Sequence, residues 1–289
     1  MLRTILRSVY RRLQPQPAAA ARSEPSPIPS VPLHMDRLFS LQGRVALISG
    51  ASSGIGLHIA GVFAQAGAAV ALAARRKEQI VGAAQALAAR GHAATAVYLD
   101  VTDAQTIGPA FDAAEHAFGA PVDLLFNNAG ILYASPFVDQ DPAEVARLFD
   151  TNLKGAFLVA REAARRMARL QHGAIINVAS TAGLRAGPHL ASYGATKAGL
   201  IHLSGVMALE LAREGIRVNT LCPGSIDTDM HRVFRDFGFE QALLRRIPQR
   251  RIGSVDDLDG AALLLASDAG RYITGAVIAV DGGQALSWM

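Results

Sequence analysis

A chain of 289 residues, 51% of them hydrophobic, is long enough to bury one large α/β core or two small ones. The net charge of +4 sits at one end: residues 1–34 carry five arginines against Glu24 alone, and the remainder balances at 23 basic and 23 acidic residues. The folded part therefore shows no electrostatic footprint for nucleic acid. Cys222 is the only cysteine, which excludes an intrachain disulfide and a cysteine metal cluster. No run of eighteen residues is apolar enough to span a membrane, and no metal-ligand spacing stands out.

Met1 to Leu13 interleaves arginines with Leu2, Ile5, Leu6 and Val9 and contains no acid, the pattern of a mitochondrial targeting helix. Pro15 to Pro32 has no core-forming pattern and reads as a disordered linker. Residues 1–34 are thus expected to be a basic, Pro/Ala-rich extension or an upstream false start, since Met35 immediately precedes the domain at 35–289. The expected location is cytoplasmic, with the mitochondrial matrix as the alternative.

Arg44 to Ser49 is a continuous apolar run, as a fully buried parallel strand requires. It leads into Gly50-Ala-Ser52-Ser53-Gly54-Ile55-Gly56 and a helix from Leu57 to Ala66. A strand, a glycine turn and a helix N-terminus make a phosphate site, because glycines admit the ligand to the backbone and the helix presents free N–H groups. Ala69 to Ala74 is the second strand. Its last residue cannot offer the carboxylate that an NAD enzyme presents to the adenine ribose 2′-hydroxyl. Arg75 follows, and a guanidinium binds a 2′-phosphate by charge-assisted hydrogen bonds, so the pattern favours NADP over NAD. The other reading of Arg75-Arg76-Lys77 is the solvated first turn of the next helix.

A helix over 77–90 and a strand over 93–99 come next, closed by Asp100-Val101, where a carboxylate can reach the adenine amino group. Asp103 reads as the N-cap of a helix to Phe118. The fourth strand, Val122 to Phe126, ends in Asn127-Asn128-Ala129-Gly130, whose amides can line a cofactor crevice or simply form a turn. A helix over 142–170 contains Asn152, a poor interior helix residue, and a local distortion is expected there. Gly173 to Ala179 is the fifth strand and ends in Ser180. Ile216 to Cys222 is the sixth, broken by Pro223-Gly224 before an irregular segment to Arg251. A helix over 256–267 and a strand over 276–280 complete the chain. The alternation predicts a single doubly wound parallel α/β sheet of about seven strands, Rossmann-like, with helices on both faces.

Between the fifth and sixth strands lies an Ala-rich helix over 192–211. Tyr193 and Lys197 share one of its faces, one turn apart. A phenol titrates near 10, too high for acid–base work at neutral pH, and an ammonium beside it is expected to lower that value.

These motifs, in this order, resemble the short-chain dehydrogenase/reductase family over residues 38–284. They are Ser49-Gly50-Ala-Ser-Ser-Gly54-Ile-Gly56, Asp100, Asn127-Asn128-Ala129-Gly130, Asn152, Ser180, Tyr193-x-x-x-Lys197, Pro223-Gly224 with Thr228, and Val280-Asp281-Gly282-Gly283. Ser49 stands where the family usually has Thr. The chain is most similar to the 3-oxoacyl-carrier-protein-reductase-like branch. The resemblance implies hydride transfer between NADP, preferred, or NAD and a carbonyl or secondary alcohol. In its terms Tyr193 is the general acid or base, Ser180 binds the same substrate oxygen, Lys197 lowers the tyrosine pKa and holds the nicotinamide ribose, and Asn152 holds a water that links Lys197 to solvent. Gly50, Ser52, Ser53, Gly54, Ile55 and Gly56 would meet the pyrophosphate. Arg75, Asp100 and Val101 would meet the adenosine, and Asn128, Ala129 and Gly130 would line the crevice. Pro223, Gly224, Ile226 and Thr228 would embrace the nicotinamide.

Substrate contacts are expected from Leu184–Leu190 and from 229–246, where Met230, Val233, Phe234, Phe237, Phe239, Leu243 and Leu244 suggest an apolar lid over a small-molecule ketone or 3-oxoacyl group. The alternatives are an NAD-dependent alcohol, sugar or hydroxysteroid dehydrogenase and a dinucleotide-sensing scaffold. By resemblance a homotetramer or homodimer is expected, packed through the helices over 143–170 and 192–212.

Overall fold

The computed structural model describes residues 35–236 and 240–286. Seven parallel strands form one sheet in the order β3-β2-β1-β4-β5-β6-β7. They are β1 (Val45–Ser49), β2 (Ala69–Ala74), β3 (Ala94–Tyr98), β4 (Leu124–Asn127), β5 (Gly173–Val178), β6 (Ile216–Pro223) and β7 (Val277–Val280). Register is continuous through the centre, with Ser49 opposite Asn127 and Asn127 opposite Asn177. The strand order reverses between β1 and β4, so the crevice of this doubly wound sheet opens at their carboxyl ends.

The central strands are buried on both faces, and their alternate side chains feed two separate cores. Ala46 and Ile48 point to one, with Phe126, Ile176 and the helices α1 (Gly54–Gln65), α2 (Lys77–Ala88) and α9 (Asp259–Ala266). Val45 and Leu47 point to the other, with Leu125, Ile175 and the helices α3 (Ala104–Phe118) and α5 (Ala156–Leu170). Phe63 of α1 meets Phe126 of β4 edge-on, ring centroids 5.8 Å apart. Each such fully buried ring contributes about 2–3 kcal/mol relative to exposure.

Three local expectations are refined. The helix over 142–170 is divided into α4 (Pro142–Phe149), a π-helical segment (Asp150–Gly155) and α5. The distortion expected at Asn152 is therefore a widened turn, which faces the amide into the protein. The segment after β6 is not irregular throughout: it holds α7 (Asp229–Asp236) and α8 (Glu240–Arg246). Interrupted hydrophobic periodicity hid these short helices. The helix expected over 256–267 begins as a 3-10 turn, Val255–Leu258, fastened by a capping box from Ser254 to Asp257. The helix α6 (Ala191–Leu211) carries Tyr193 and Lys197 as read from the sequence.

Candidate active site

The glycine loop has the tight geometry expected of a phosphate site. Gly50 and Gly54 lie in the left-handed region at φ +69° and +55°. A Cβ on Gly56 would stand 2.6 Å from the Gly50 carbonyl oxygen, so only glycine lets the loop close on itself. Ser53 caps α1 without a side-chain hydrogen bond, leaving the first N–H groups of the helix to a ligand. Asn128 closes the loop from the β4 side: its Nδ2 donates to the carbonyls of Ser49 at 3.1 Å and Gly50 at 3.4 Å. The Ser49 hydroxyl accepts from the amides of Asn128 (2.9 Å) and Ala129 (3.0 Å). A Cβ on Gly130 would lie 3.3 Å from Asn152 Oδ1 and 3.5 Å from Lys197 Nζ, so this strand end runs directly up to both side chains.

At the end of β2, Arg75 and Arg76 diverge. Arg75 is exposed and stands 3.9 Å from Asp100. Partial burial raises the Asp100 pKa, but hydrogen bonds from the Thr102 hydroxyl and N–H, with Arg75 nearby, hold it below the usual carboxylate value. Arg76, which from the sequence read as part of a solvated turn, reaches the glycine loop instead. Its Nη2 donates to Ser52 Oγ and Ser53 Oγ, both at 2.7 Å. Which of two neighbouring arginines meets the loop depends on where the fold brings the loop, and nothing in the local sequence records it. Val101 is buried beside Asp100 and its carbonyl abuts Gly155 of the π segment.

The four expected reacting residues converge at the carboxyl ends of β4 and β5. Asn152 is fully buried; its Oδ1 accepts from Ile131 N and its Nδ2 donates to Ile131 O, each at 2.8 Å. Ser180 follows β5, its Oγ accepting from Ala182 N at 3.1 Å. The Ser180 side chain stands close enough to the Tyr193 phenol to favour its ionised form. Lys197 Nζ donates to the Val178 carbonyl at 2.9 Å and lies 5.8 Å from the centroid of the Tyr193 ring.

The electrostatics of this pair differ from the sequence expectation. Burial pushes the Tyr193 phenol up; the Ser180 side chain works against this without cancelling it, and the nearby Cys222 adds to the rise. Burial also pulls Lys197 down to about 8, opposed by Cys222. Desolvation is therefore the largest influence on both groups, and each is pushed toward its neutral form in the free protein. Cys222 itself is pushed up to about 11 by burial and stays a thiol.

Across the crevice, Pro223 ends β6 and Gly224 N donates to Val280 O at 3.0 Å. A Cβ on Gly224 would stand 2.6 Å from Asp281 Cβ, which fixes glycine there. Ile226 is buried, and its carbonyl accepts from Thr228 Oγ1 at 3.4 Å. The Thr228 methyl would lie 3.6 Å from a Cβ on Gly54, so Thr228 faces the glycine loop. Ile55 is half-buried in the first turn of α1. Of the expected lid residues, Met230 is exposed and Leu243 and Leu244 are half-buried; Phe237 and Phe239 and the side chains of Val233 and Phe234 lie outside the described residues. A nicotinamide dinucleotide fits this donor set: a glycine loop with no room for a Cβ at Gly50 or Gly56, helix amides without a side-chain cap, and guanidinium groups beside them.

Comparison with known proteins agrees. The family described as enoyl-(acyl carrier protein) reductase matches residues 50–285. Gluconate 5-dehydrogenase of Gluconobacter oxydans is 38% identical over 251 residues, covering 86% of this chain and 98% of that protein. The 3-oxoacyl-[acyl-carrier-protein] reductase of Escherichia coli is 36% identical over 245 residues, covering 85% and 98%. The crystal structure of a gluconate 5-dehydrogenase from Burkholderia cenocepacia, in complex with NADP and tartrate, superposes with a TM-score of 0.84 at 38% identity, covering 88% of this chain and all of that one (100%). A short-chain type dehydrogenase/reductase from Mycobacterium marinum superposes at 0.81 with 38% identity, covering 86% and 97%. The chain belongs to the short-chain dehydrogenase/reductase family and is an NAD(P)-dependent oxidoreductase acting on CH–OH groups.

Proposed function

We propose that this enzyme is an NADPH-preferring reductase of a ketone or 3-oxoacyl group. The observation that carries the reading is the gathering of Lys197 and Ser180 about Tyr193, with Asn152 and Lys197 both beside Gly130, at a crevice whose other end holds two arginines. Ser180 and Tyr193 bind the substrate oxygen, and Tyr193 passes it a proton as negative charge develops there. Lys197 holds the nicotinamide ribose, and Asn152 fixes a water between Lys197 and solvent. Gly50, Ser52, Ser53, Gly54, Ile55 and Gly56 bind the pyrophosphate, Asp100 and Val101 the adenine, and Asn128, Ala129, Gly130, Pro223, Gly224, Ile226 and Thr228 the nicotinamide side. Arg75 and Arg76 together take the 2′-phosphate. When bound, the nicotinamide supplies the hydride.

A second reading, NADP-linked oxidation of a sugar acid, draws on the likeness to gluconate 5-dehydrogenases. The test is oxidation of NADPH and NADH against 3-oxoacyl thioesters, diketones, ketosteroids, aldehydes and 5-ketogluconate. NADPH turnover with 3-oxoacyl thioesters supports the first reading, and turnover confined to 5-ketogluconate supports the second. Turnover with NADH alone would sink the cofactor preference.

The assembly is a homodimer or homotetramer. Phe149, Leu153, Phe157 and Leu203 line an open groove of about 470 Å³ along the helices proposed to pair. Light scattering would report a monomer if this is wrong. The protein acts in the cytoplasm, with the mitochondrial matrix as the alternative, and residues 1–34 are a dispensable extension. Among the described residues no helix is long and apolar enough to cross a membrane. Fluorescent fusions with and without residues 1–34 separate these locations.

A further inference from the structure

Asn177 is an anomaly in the sequence of β5. It is fully buried in the middle of the sheet, flanked by Ile175, Ile176 and Val178. Asn is depleted in strands, and its amide is costly to bury unless every polar atom is bonded. The bonds it makes belong to a longer chain. The amides of Asn128 and Ala129 donate to Ser49 Oγ, and Ser49 donates in turn to Asn127 Oδ1 at 3.2 Å. Asn127 Nδ2 donates to Asn177 Oδ1 at 2.9 Å, and Asn177 Nδ2 to Ser204 Oγ at 2.9 Å. Ser204 closes the series on the Leu200 carbonyl at 2.7 Å.

Every bond in this series points the same way, the arrangement in which neighbours polarise and strengthen one another. Its two ends are the two halves of the site. One is the loop that Asn128 and Ala129 press against Gly50. The other is α6, where Ser204 lies on the same buried stripe as Tyr193, Lys197 and Leu200. A side branch, Asn127 Nδ2 to Ala156 O at 2.9 Å, ties in the residue that follows the π segment bearing Asn152.

We propose that Asn177 and Ser204 are positioning residues, which hold the catalytic helix in register with the cofactor loop through this buried series of hydrogen bonds. Apolar side chains would fill the same space but would not fix the rotation of α6 about its axis. Neither residue touches the crevice; they act through Lys197 and Tyr193. The inference rests on the reading of those two residues as the nicotinamide-side contacts.

The test is a double-mutant cycle on Ser49→Ala and Ser204→Ala, read by NADPH affinity from fluorescence, with melting temperature measured in parallel. The two positions are three hydrogen bonds apart, beyond the range at which unlinked sites interact. Ser204→Ala is expected to weaken NADPH about threefold or more, and the double variant to lose less than the product of the two singles. Ser49→Thr, which keeps the hydroxyl, should bind like the wild type. A Ser204→Ala protein that melts earlier yet binds NADPH as tightly as the wild type, with effects that multiply, would reduce the series to a structural role and overturn the proposal. Asn177→Ser provides the same comparison if Ser204→Ala does not fold. A wild-type protein that does not bind NADPH would instead refute the underlying reading of the site.

Discussion

Arg76 grips both serines of the glycine loop, its Nη2 standing 2.7 Å from Ser52 Oγ and 2.7 Å from Ser53 Oγ. The guanidinium is thereby held beside the uncapped N-terminus of α1, two positive features facing one point. Arg76→Ala should raise KM for NADPH by about 10–100-fold, the worth of charge-assisted hydrogen bonds to a phosphate, and change KM for NADH little. Arg75→Ala, with its partner Asp100 3.9 Å away, should have the smaller effect. Steady-state kinetics with both cofactors decide between the two arginines; equal losses for NADH and NADPH would show that Arg76 only shapes the loop.

Tyr193→Phe removes the proton but keeps the ring that packs near Lys197. Turnover should fall by about 10²–10⁴, the range of general acid–base catalysis, while NADPH affinity stays within a few fold. Single-turnover rates and binding titrations measure the two separately.

Lys197 also makes a prediction about pH and stability. Its folded pKa, about 8, lies below the 10.5 of an exposed lysine because the ammonium is buried. Below pH 8 both states are protonated, and the cost of burying the charge is fully present. Between about 8 and 10.5 the unfolded chain binds more protons, so stability rises with pH in that window. The gain from pH 8 to 10 is about 2 kcal/mol. Above 10 the raised Tyr193 pKa acts in the opposite direction, since the unfolded phenol ionises first. Urea unfolding of the wild type and Lys197→Met from pH 7.5 to 10 should show the rise only in the wild type.

Gly56→Ala should cost both stability and cofactor binding. The added methyl would meet the Gly50 carbonyl and Asn128 Nδ2, each at 2.6 Å, and force the loop open. A loss of about 1–3 kcal/mol in unfolding free energy and of about tenfold or more in NADPH affinity is expected. Calorimetry of the free and loaded protein would measure both, and a variant that binds normally would place the phosphates elsewhere.

Strand and helix order and the crevice were legible in the sequence, because uninterrupted apolar strands are local signals, and so was the pairing of Tyr193 and Lys197 on one helix face, whereas the roles expected of Asn152 and Ser180 came only from the family resemblance. What escaped depends on neighbours distant in the chain. Arg76 crosses to a loop 23 and 24 positions earlier. Asn127 and Asn177 meet from adjacent strands 50 positions apart. The sign of the Tyr193 shift depends on burial by the whole fold rather than on the lysine one turn away. The helices α7 and α8 were obscured because short, charged elements carry too few apolar positions to set a period.

The π-helical turn at Asp150–Gly155 ties the placement of Asn152 to the length of its helix. A widened turn is an α-helix with one residue too many, and each helical residue accounts for about 100° of rotation. Deleting a single residue there would restore a regular helix and swing the Asn152 amide away from Ile131 and Gly130, while α4 and α5 kept their own apolar faces. A one-residue deletion in this helix is thus expected to spare the fold while displacing Asn152 from the crevice, so activity and thermal stability would respond to it separately.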